Sequence, residues 1–192
     1  MECRGPKALA LGATIALGSC QLAACADPPQ EVRGAPLSAA APTHEAPADP
    51  VELDLDGDEA TYADVSTSPG FTPDPQTFTG TTAGGPVDLE RVDERCHGWA
   101  AGDPDAIVRA TRPFAELLIM AASAEDVTLA VLDPDGELRC GDDEEGTHPI
   151  VRGELSPGVY RVWVGTHRPG ARAPFTLALT ELDDAQPSSL LH

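Results

Sequence analysis

The chain has 192 residues, of which 19 are proline and 4% are aromatic, and its formal net charge is −20 at pH 7. This length can hold one domain of ordinary size with tails. The excess of acidic side chains repels a phosphate backbone and so argues against nucleic acid as a partner. An acidic surface suits solubility, cation binding or a basic partner.

Residues 1–24 are predicted to be a lipoprotein signal peptide. Arg4 and Lys7 precede an uncharged, mostly apolar run at residues 8–18. This run is too short to cross a bilayer, which takes about 20 apolar residues, but it has the length of a signal-peptide core.

Two tetrapeptides after the apolar run, LGSC and LAAC, resemble the lipobox of bacterial lipoproteins, in which the cysteine is acylated. LAAC matches that pattern better, so lipidation is predicted at Cys25. Cys20 lies closer to the apolar run and is the alternative. A lipid anchor would place the chain in the cell envelope, in the periplasm or on the outer surface. An ordinary secretory signal would instead make it a secreted protein.

Residues 25–75 are predicted to be a disordered acidic linker. The zone is rich in proline and acidic residues, and Arg33 is its single basic residue. Such a composition buries too little apolar surface to offset chain entropy, so it would act as a semi-extended stalk. Asp54, Asp56 and Asp58 alternate like calcium ligands, but the glycine and glutamate positions of an EF-hand loop do not follow.

Residues 76–182 are predicted to form an all-β, antiparallel, jelly-roll-like β-sandwich, followed by a C-terminal tail at 183–192. Apolar residues alternate with period two at 127–132, 159–164 and 175–180, and 115–122 is an apolar run long enough for a buried strand. Weaker strands are predicted at 77–82, 106–111, 137–140 and 148–155. Turn signals at 133–136, 156–158 and 168–170 separate these segments.

One disulfide bond is predicted from the cysteine count. Export would place the chain in an oxidising compartment. Cys3 and Cys20 would leave with the signal and Cys25 would carry lipid, so Cys96 and Cys140 remain as a pair. A metal site is the alternative, although two cysteines without CxxC or HxxxH spacing are a poor zinc ligand set.

Several short motifs in residues 78–182 resemble the pre-peptidase C-terminal domain group, small jelly-roll sandwiches found on secreted bacterial peptidases or on surface lipoproteins. They are, in order, CHGW (96–99), PD (104–105), DVTL (126–129), PDG (134–136), CGDD (140–143), PI (149–150), GVYRVWVG (158–165) and FTL (175–177). The resemblance implies an accessory, non-catalytic module that in some members binds polymers or calcium.

Calcium is the candidate cofactor. Asp142, Asp143 and Glu144 lie in an acidic loop, and Asp126 lies at a strand start. Carboxylate oxygens from a loop and a neighbouring strand end are ligands that calcium takes. A solvated loop is the alternative for these acids.

Arg161 and Trp163 are the candidate ligand surface. If Tyr160 points inward, strand alternation turns Arg161 and Trp163 outward. An exposed tryptophan can stack on a sugar or a peptide. A neighbouring loop or strand covering Trp163 is the alternative.

The sequence predicts no enzyme activity. It contains neither GxSxG nor HExxH. The mature-chain histidines His44, His97, His148, His167 and His192 are scattered without ligand spacing.

The overall prediction is a non-catalytic cell-envelope lipoprotein with an accessory binding or structural sandwich. Its candidate partners are the membrane, through the lipid anchor, and an extracellular protein or polysaccharide. The alternative is a secreted calcium-binding module that assists a separate peptidase or binds an extracellular polymer.

Overall fold

The computed structural model describes residues 51–82 and 84–191. The predicted signal peptide, both candidate lipidation sites, Cys20 and Cys25, and residues 25–50 of the predicted linker lie outside the described residues. No helix among the described residues is long and apolar enough to cross a membrane.

Eleven strands, one short α-helix and one 3-10 helix make up the described secondary structure. In chain order they are β1 (Ala63–Thr67), β2 (Gln76–Thr82), β3 (Val87–Asp88), α1 (Leu89–Val92), β4 (Trp99–Ala100), β5 (Ala106–Ala110), β6 (Phe114–Ala122), β7 (Val127–Leu132), β8 (Leu138–Gly141), β9 (Ile150–Leu155), β10 (Gly158–Thr166), β11 (Ala173–Thr180) and the 3-10 helix Pro187–Leu190.

The strands form two sheets, which confirms the predicted β-sandwich. The first sheet has seven strands: β1, β5, β10, β4 and β3 follow one path, while β7 pairs with β10 and β8 pairs with β7. The second sheet has four strands in the order β2-β11-β6-β9. All strand pairs are antiparallel except β1 with β5, which is parallel. The prediction of purely antiparallel sheets is therefore wrong for this one pair.

The main core lies between the sheets and follows the period-two pattern of the strands. Val127, Leu129 and Val131 of β7 face Leu177 and Leu179 of β11 across this layer, and all five are buried. Successive strand residues point to opposite faces, so the intervening residues of β7 and β10 lie on the outer face of the seven-stranded sheet. That outer face has a buried apolar cluster of its own, which includes Ala130, Leu132 and Trp163.

Residues 51–75 belong to the folded unit, so the predicted disordered linker is wrong for this part of its length. Leu53 is buried in the outer cluster, and β1 runs beside β5 from Ala63 onward. The Asp54 N–H donates to Gly102 O at 2.8 Å, and the Thr61 N–H donates to the carbonyl of residue 104 at 2.9 Å. A few apolar contacts, the pairing of β1 with β5 and backbone hydrogen bonds to a distant loop therefore order a stretch whose average composition is that of a linker.

The C-terminal tail covers the outer face of the four-stranded sheet. Leu190 and Ala185 pack against a buried cluster that includes Met120. The Glu145 carboxylate accepts hydrogen bonds from the backbone N–H and the hydroxyl of Ser188, at 2.9 and 2.7 Å. The tail is thus part of the described fold.

A buried carboxylate lies where the 51–62 segment meets β5. Asp105 is only 5% exposed, and its Oδ2 accepts a hydrogen bond from the Val164 N–H at 2.7 Å. Burial raises the pKa of Asp105 from 3.8 to about 7, although the hydrogen bond from Val164 partly offsets this effect.

The Asp105 carboxyl is expected to make stability depend on pH. The folded state holds the Asp105 carboxyl proton more tightly than the unfolded state does. The stability linked to this proton is therefore complete below pH 4 and is lost as the pH rises through 7. Asp105→Asn should therefore gain stability relative to the wild-type chain between pH 5 and pH 8, by a few kcal/mol. Urea denaturation of both proteins across this range measures the difference. Asp103→Asn, which removes an exposed carboxylate two residues away, is the control, and a gap between wild type and Asp105→Asn that stays constant with pH would contradict the account.

Candidate functional site

The disulfide bond joins the loop before β4 to strand β8. Cys96 and Cys140 are bonded, with a Cα–Cα distance of 5.3 Å, and they are 44 residues apart in sequence. Cys96 is 1% exposed, and both residues belong to the cluster on the outer face of the seven-stranded sheet. The predicted pairing is confirmed, and it fixes the loops at one end of this sheet.

Three potential metal ligands converge at that end of the sheet. Asp126 precedes β7, Asp142 follows β8 and His167 follows β10. Since β7 pairs with both β8 and β10 in antiparallel register, the start of β7 lies beside the ends of its two neighbours. We call these three residues the strand-end cluster.

The register places the cluster on the outer face of the sheet. Trp163 and Cys140 belong to the outer cluster, and His167 and Asp142 continue the same alternation, four and two residues later. Asp126 lies four residues before Ala130, which also faces outward. The three side chains therefore start from neighbouring rows of one face.

The geometry of the cluster suits a shared ion. One carboxylate oxygen each of Asp126 and Asp142 and one imidazole nitrogen of His167 all lie within 4.8 Å of one another. The backbone N–H of His167 donates to the backbone carbonyl of Asp126 at 3.3 Å. Oδ1 of Asp126 and Oδ1 of Asp142 are both buried, and neither receives a hydrogen bond from any residue that the structure describes.

The environment of Asp142 disfavours a bare negative charge. Burial raises the pKa of Asp142 above its usual range, the charges of Asp143 and Asp126 raise it further, and His97 and His167 act in the opposite direction. A carboxylate that is partly desolvated and close to like charges gains from a nearby cation.

The structure brings two of the four predicted calcium ligands together, Asp126 and Asp142. Asp143 and Glu144 are not members of the strand-end cluster. Glu144 Oε2 accepts hydrogen bonds from the backbone N–H groups of Asp142 and Ile150, both at 3.0 Å. Glu144 thus braces its own loop.

His167 is the member of the cluster that the sequence analysis missed. Along the sequence, His167 has no metal-ligand spacing to another histidine. The two aspartates that join it in the cluster lie 25 and 41 residues before it. The available signal was the alternation in β10: counting on from Trp163, positions 165 and 167 share its face. Combined with a pairing of β10 and β7, that count would have placed His167 beside Asp126.

The predicted Trp163 surface is wrong, and the structure explains why. Alternation does turn Trp163 away from the inter-sheet core, but its exposure is 0%. Its indole N–H donates to Gly102 O at 3.0 Å, and Leu53 belongs to the same buried cluster. The segments around residues 53 and 102 cover it.

Arg161 binds its own chain and does not present a free guanidinium. Its Nε donates to Gly57 O at 2.6 Å and its Nη2 to Asp56 O at 3.1 Å. The side chain holds the 51–62 segment against the sheet, so the predicted ligand surface of Arg161 and Trp163 is not formed.

A second acidic site lies in the 51–62 segment. A cleft of about 350 Å³ is lined by the carboxylate residues Asp54, Asp58, Glu59 and Asp103. Within the described ranges, however, these side chains do not gather to the mutual distance seen in the strand-end cluster. The strand-end cluster is therefore the better candidate for a functional site.

The described residues thus define a disulfide-bonded β-sandwich with an acidic–histidine cluster at one end of one sheet. No protein-family model matches the chain, and no curated protein matches it.

Solved structures that are similar to this chain include the following two. One is the pre-peptidase C-terminal domain of a collagenase from Bacillus anthracis, with 11% identity and a TM-score of 0.41 over 65% of this chain and 100% of that domain. The other is a periplasmic inhibitor of g-type lysozyme from Aeromonas hydrophila, with 13% identity and a TM-score of 0.37 over 62% of this chain and 96% of that one. The first of these belongs to the group that the sequence motifs resemble.

Proposed function

We propose that the chain is a non-catalytic lipoprotein of the cell envelope, whose β-sandwich serves as a binding or structural module. The observation that carries this proposal is the Cys96–Cys140 bond, because structural disulfides persist in oxidising, exported compartments and are rare in the cytosol. The partners of such a module are the membrane, through its lipid, and an extracellular protein or polysaccharide.

The sequence before the sandwich supports the anchoring part of the proposal. The apolar run at residues 8–18 and the tetrapeptides ending in Cys20 and Cys25 resemble a lipoprotein signal. The proline- and acid-rich residues 25–50 have the composition of a stalk. Together they would hold the sandwich away from a membrane surface.

Removal of the lipidated cysteine is expected to release the protein from membranes. The wild-type chain should sediment with the membrane fraction, and Cys25→Ser should move to the soluble fraction. Cys20→Ser is the matched control and should stay with the membranes. The reverse pattern would move the anchor to Cys20, and membrane association that neither substitution changes would contradict the lipid anchor.

A second candidate function is the binding of a divalent cation by an anchored or secreted module. It corresponds to the alternative from the sequence analysis, a secreted calcium-binding module. The observation that favours it is the pair of buried carboxylate oxygens of Asp126 and Asp142, which no described residue satisfies with a hydrogen bond. A bound cation would stabilise the strand ends, and such a module would assist a separate peptidase or bind an extracellular polymer.

A further inference from the structure

We propose that the strand-end cluster of Asp126, Asp142 and His167 binds Zn²⁺ or a divalent transition-metal ion with the same preference for mixed nitrogen and oxygen ligands. This inference rests on the second candidate function, cation binding, and deepens it by naming the class of ion. The chain supplies one imidazole nitrogen and two carboxylates, and water completes the coordination.

The ligand set distinguishes zinc from calcium. Calcium takes six to eight oxygen ligands, whereas a neutral imidazole is a common ligand of zinc and its neighbours in the first transition row. The cluster contains one histidine and only two acidic residues. The nearby Glu144 already uses Oε2 to accept two backbone N–H groups. One nitrogen and few oxygens favour zinc.

The distances are close to those that a shared zinc ion requires. Ligand atoms about 2.0–2.1 Å from a tetrahedral zinc lie about 3.4 Å from one another. The three ligand atoms here lie within 4.8 Å of one another, so a shared zinc ion would require side-chain rotations that draw them closer. His167 is exposed, which leaves its ring free to turn, while pairing between β7, β8 and β10 fixes the backbone on which the cluster stands.

The unsatisfied oxygens are an independent reason for a cation. Buried polar atoms are normally hydrogen-bonded, and a buried acceptor without a donor costs free energy. Asp126 Oδ1 and Asp142 Oδ1 are both buried, and no described residue donates to either. A divalent ion would satisfy both oxygens and balance both carboxylate charges.

Two neighbouring glycines, one in strand β10 and one in the loop before β4, allow close packing at this end of the sheet. A Cβ on Gly165 would lie 2.4 Å from Thr128 Oγ1, and one on Gly98 would lie 2.6 Å from the same atom. The glycines therefore let the chain pack closely around Thr128, which lies on the same strand face as Asp126. This packing holds the start of β7 and the end of β10 together beneath the cluster.

The test uses the full mature chain with its disulfide intact, stripped of metal with EDTA and then dialysed. Melting temperature is measured alone, with Zn²⁺ and with Ca²⁺. A ligand that binds only the folded state, at about 100 times its dissociation constant, is expected to raise the melting temperature by roughly 5–10 °C. Zinc should do so and calcium should not.

Four substitutions assign the effect to the cluster. Asp126→Asn and His167→Gln should abolish most of the zinc shift. Asp143→Asn removes an acidic residue of the same loop outside the cluster, and His97→Gln removes an exposed imidazole that is hydrogen-bonded to Glu90 at 2.8 Å. Both controls should keep the zinc shift. Since His167 is exposed, His167→Gln should melt like the wild-type chain without metal.

Cobalt gives a direct readout of the nitrogen ligand. Co²⁺ bound to the wild-type chain should show the visible absorption of a low-coordinate site, and His167→Gln should lose it. Stabilisation by calcium without stabilisation by zinc would overturn the zinc inference and leave cation binding standing. If neither zinc nor calcium shifts the melting temperature, both the zinc inference and the proposal of cation binding are overturned. An equal zinc shift in wild type and His167→Gln would overturn the assignment to this cluster.

Discussion

Trp163→Ala is expected to lower the free energy of unfolding by about 3–5 kcal/mol, the range for removing a large buried aromatic side chain. Trp163 is 0% exposed and is among the largest fully buried side chains of the described fold. The substitution leaves a cavity between the sheet and the segments that cover it. It also removes the indole N–H that donates a hydrogen bond to Gly102 O.

Urea denaturation measures this loss. Trp163→Phe, which keeps an aromatic ring but no N–H, should lose less than Trp163→Ala. Leu182→Ala provides a control at an apolar residue that is 47% exposed, and it should change stability by less than about 0.5 kcal/mol. A loss below about 1 kcal/mol for Trp163→Ala would show that the covering segments do not pack on the indole.

Removal of the disulfide is expected to cost about 4 kcal/mol. On the chain-entropy model the stabilisation grows with the length of the closed loop, and the separation of 44 residues gives this magnitude. The double substitution Cys96→Ala/Cys140→Ala should therefore unfold at a much lower urea concentration. Its loss includes a packing contribution, because Cys96 is buried.

A reducing agent separates the stabilisation by the disulfide bond from the packing contribution of the cysteine side chains. Dithiothreitol should lower the unfolding midpoint of the wild-type chain toward that of the double variant and should leave the double variant unchanged. If the wild-type midpoint does not move when full reduction has been confirmed by mass, the bond contributes little and the entropic account is wrong.

Local pattern was enough to predict most of the sandwich strands, but not β1, β3 or β4. The alternation of Tyr160, Val162 and Val164 is an inward row of β10, as period two predicts, and these residues lie in the core between the sheets. The turn at 133–136 separates β7 from β8. These features are local in sequence, so the chain can be read one segment at a time.

What escaped prediction depends on contacts between distant segments. Trp163 does face away from the inter-sheet core, but residues some 60 and 110 positions earlier cover it. β1 is ordered by pairing with β5, about 43 residues later. The average composition of a segment does not reveal such pairings. One leucine scarcely changes the average, and backbone hydrogen bonds do not enter it.

The candidate site escaped prediction in part for the same reason. Asp126 and Asp142 were recognised because acids near a strand start and a loop are an oxygen-ligand pattern. His167 joins them only through the pairing of β10 with β7. The sequence suggested four oxygen ligands, three of them in the acidic loop, whereas one of those three, Glu144, is used to close the loop.

The disulfide and the strand-end cluster are neighbours on one sheet. Cys140 precedes Asp142 by two residues, so the two side chains leave β8 and its end on the same face. The bond from Cys140 to Cys96 restrains the strand that carries Asp142. Reduction of the bond should therefore loosen the same end of the sheet that the proposed ion would tie together.

The intact mass of the protein from the membrane fraction, measured after denaturation without a reducing agent, tests the proposal of an exported, anchored module most directly. The account predicts a chain that begins at Cys25, carries a diacylglyceryl increment and lacks the hydrogens lost in forming one disulfide. A chain that is confined to the soluble cell contents, retains its N-terminal residues, carries no lipid and has Cys96 and Cys140 as free thiols would contradict it.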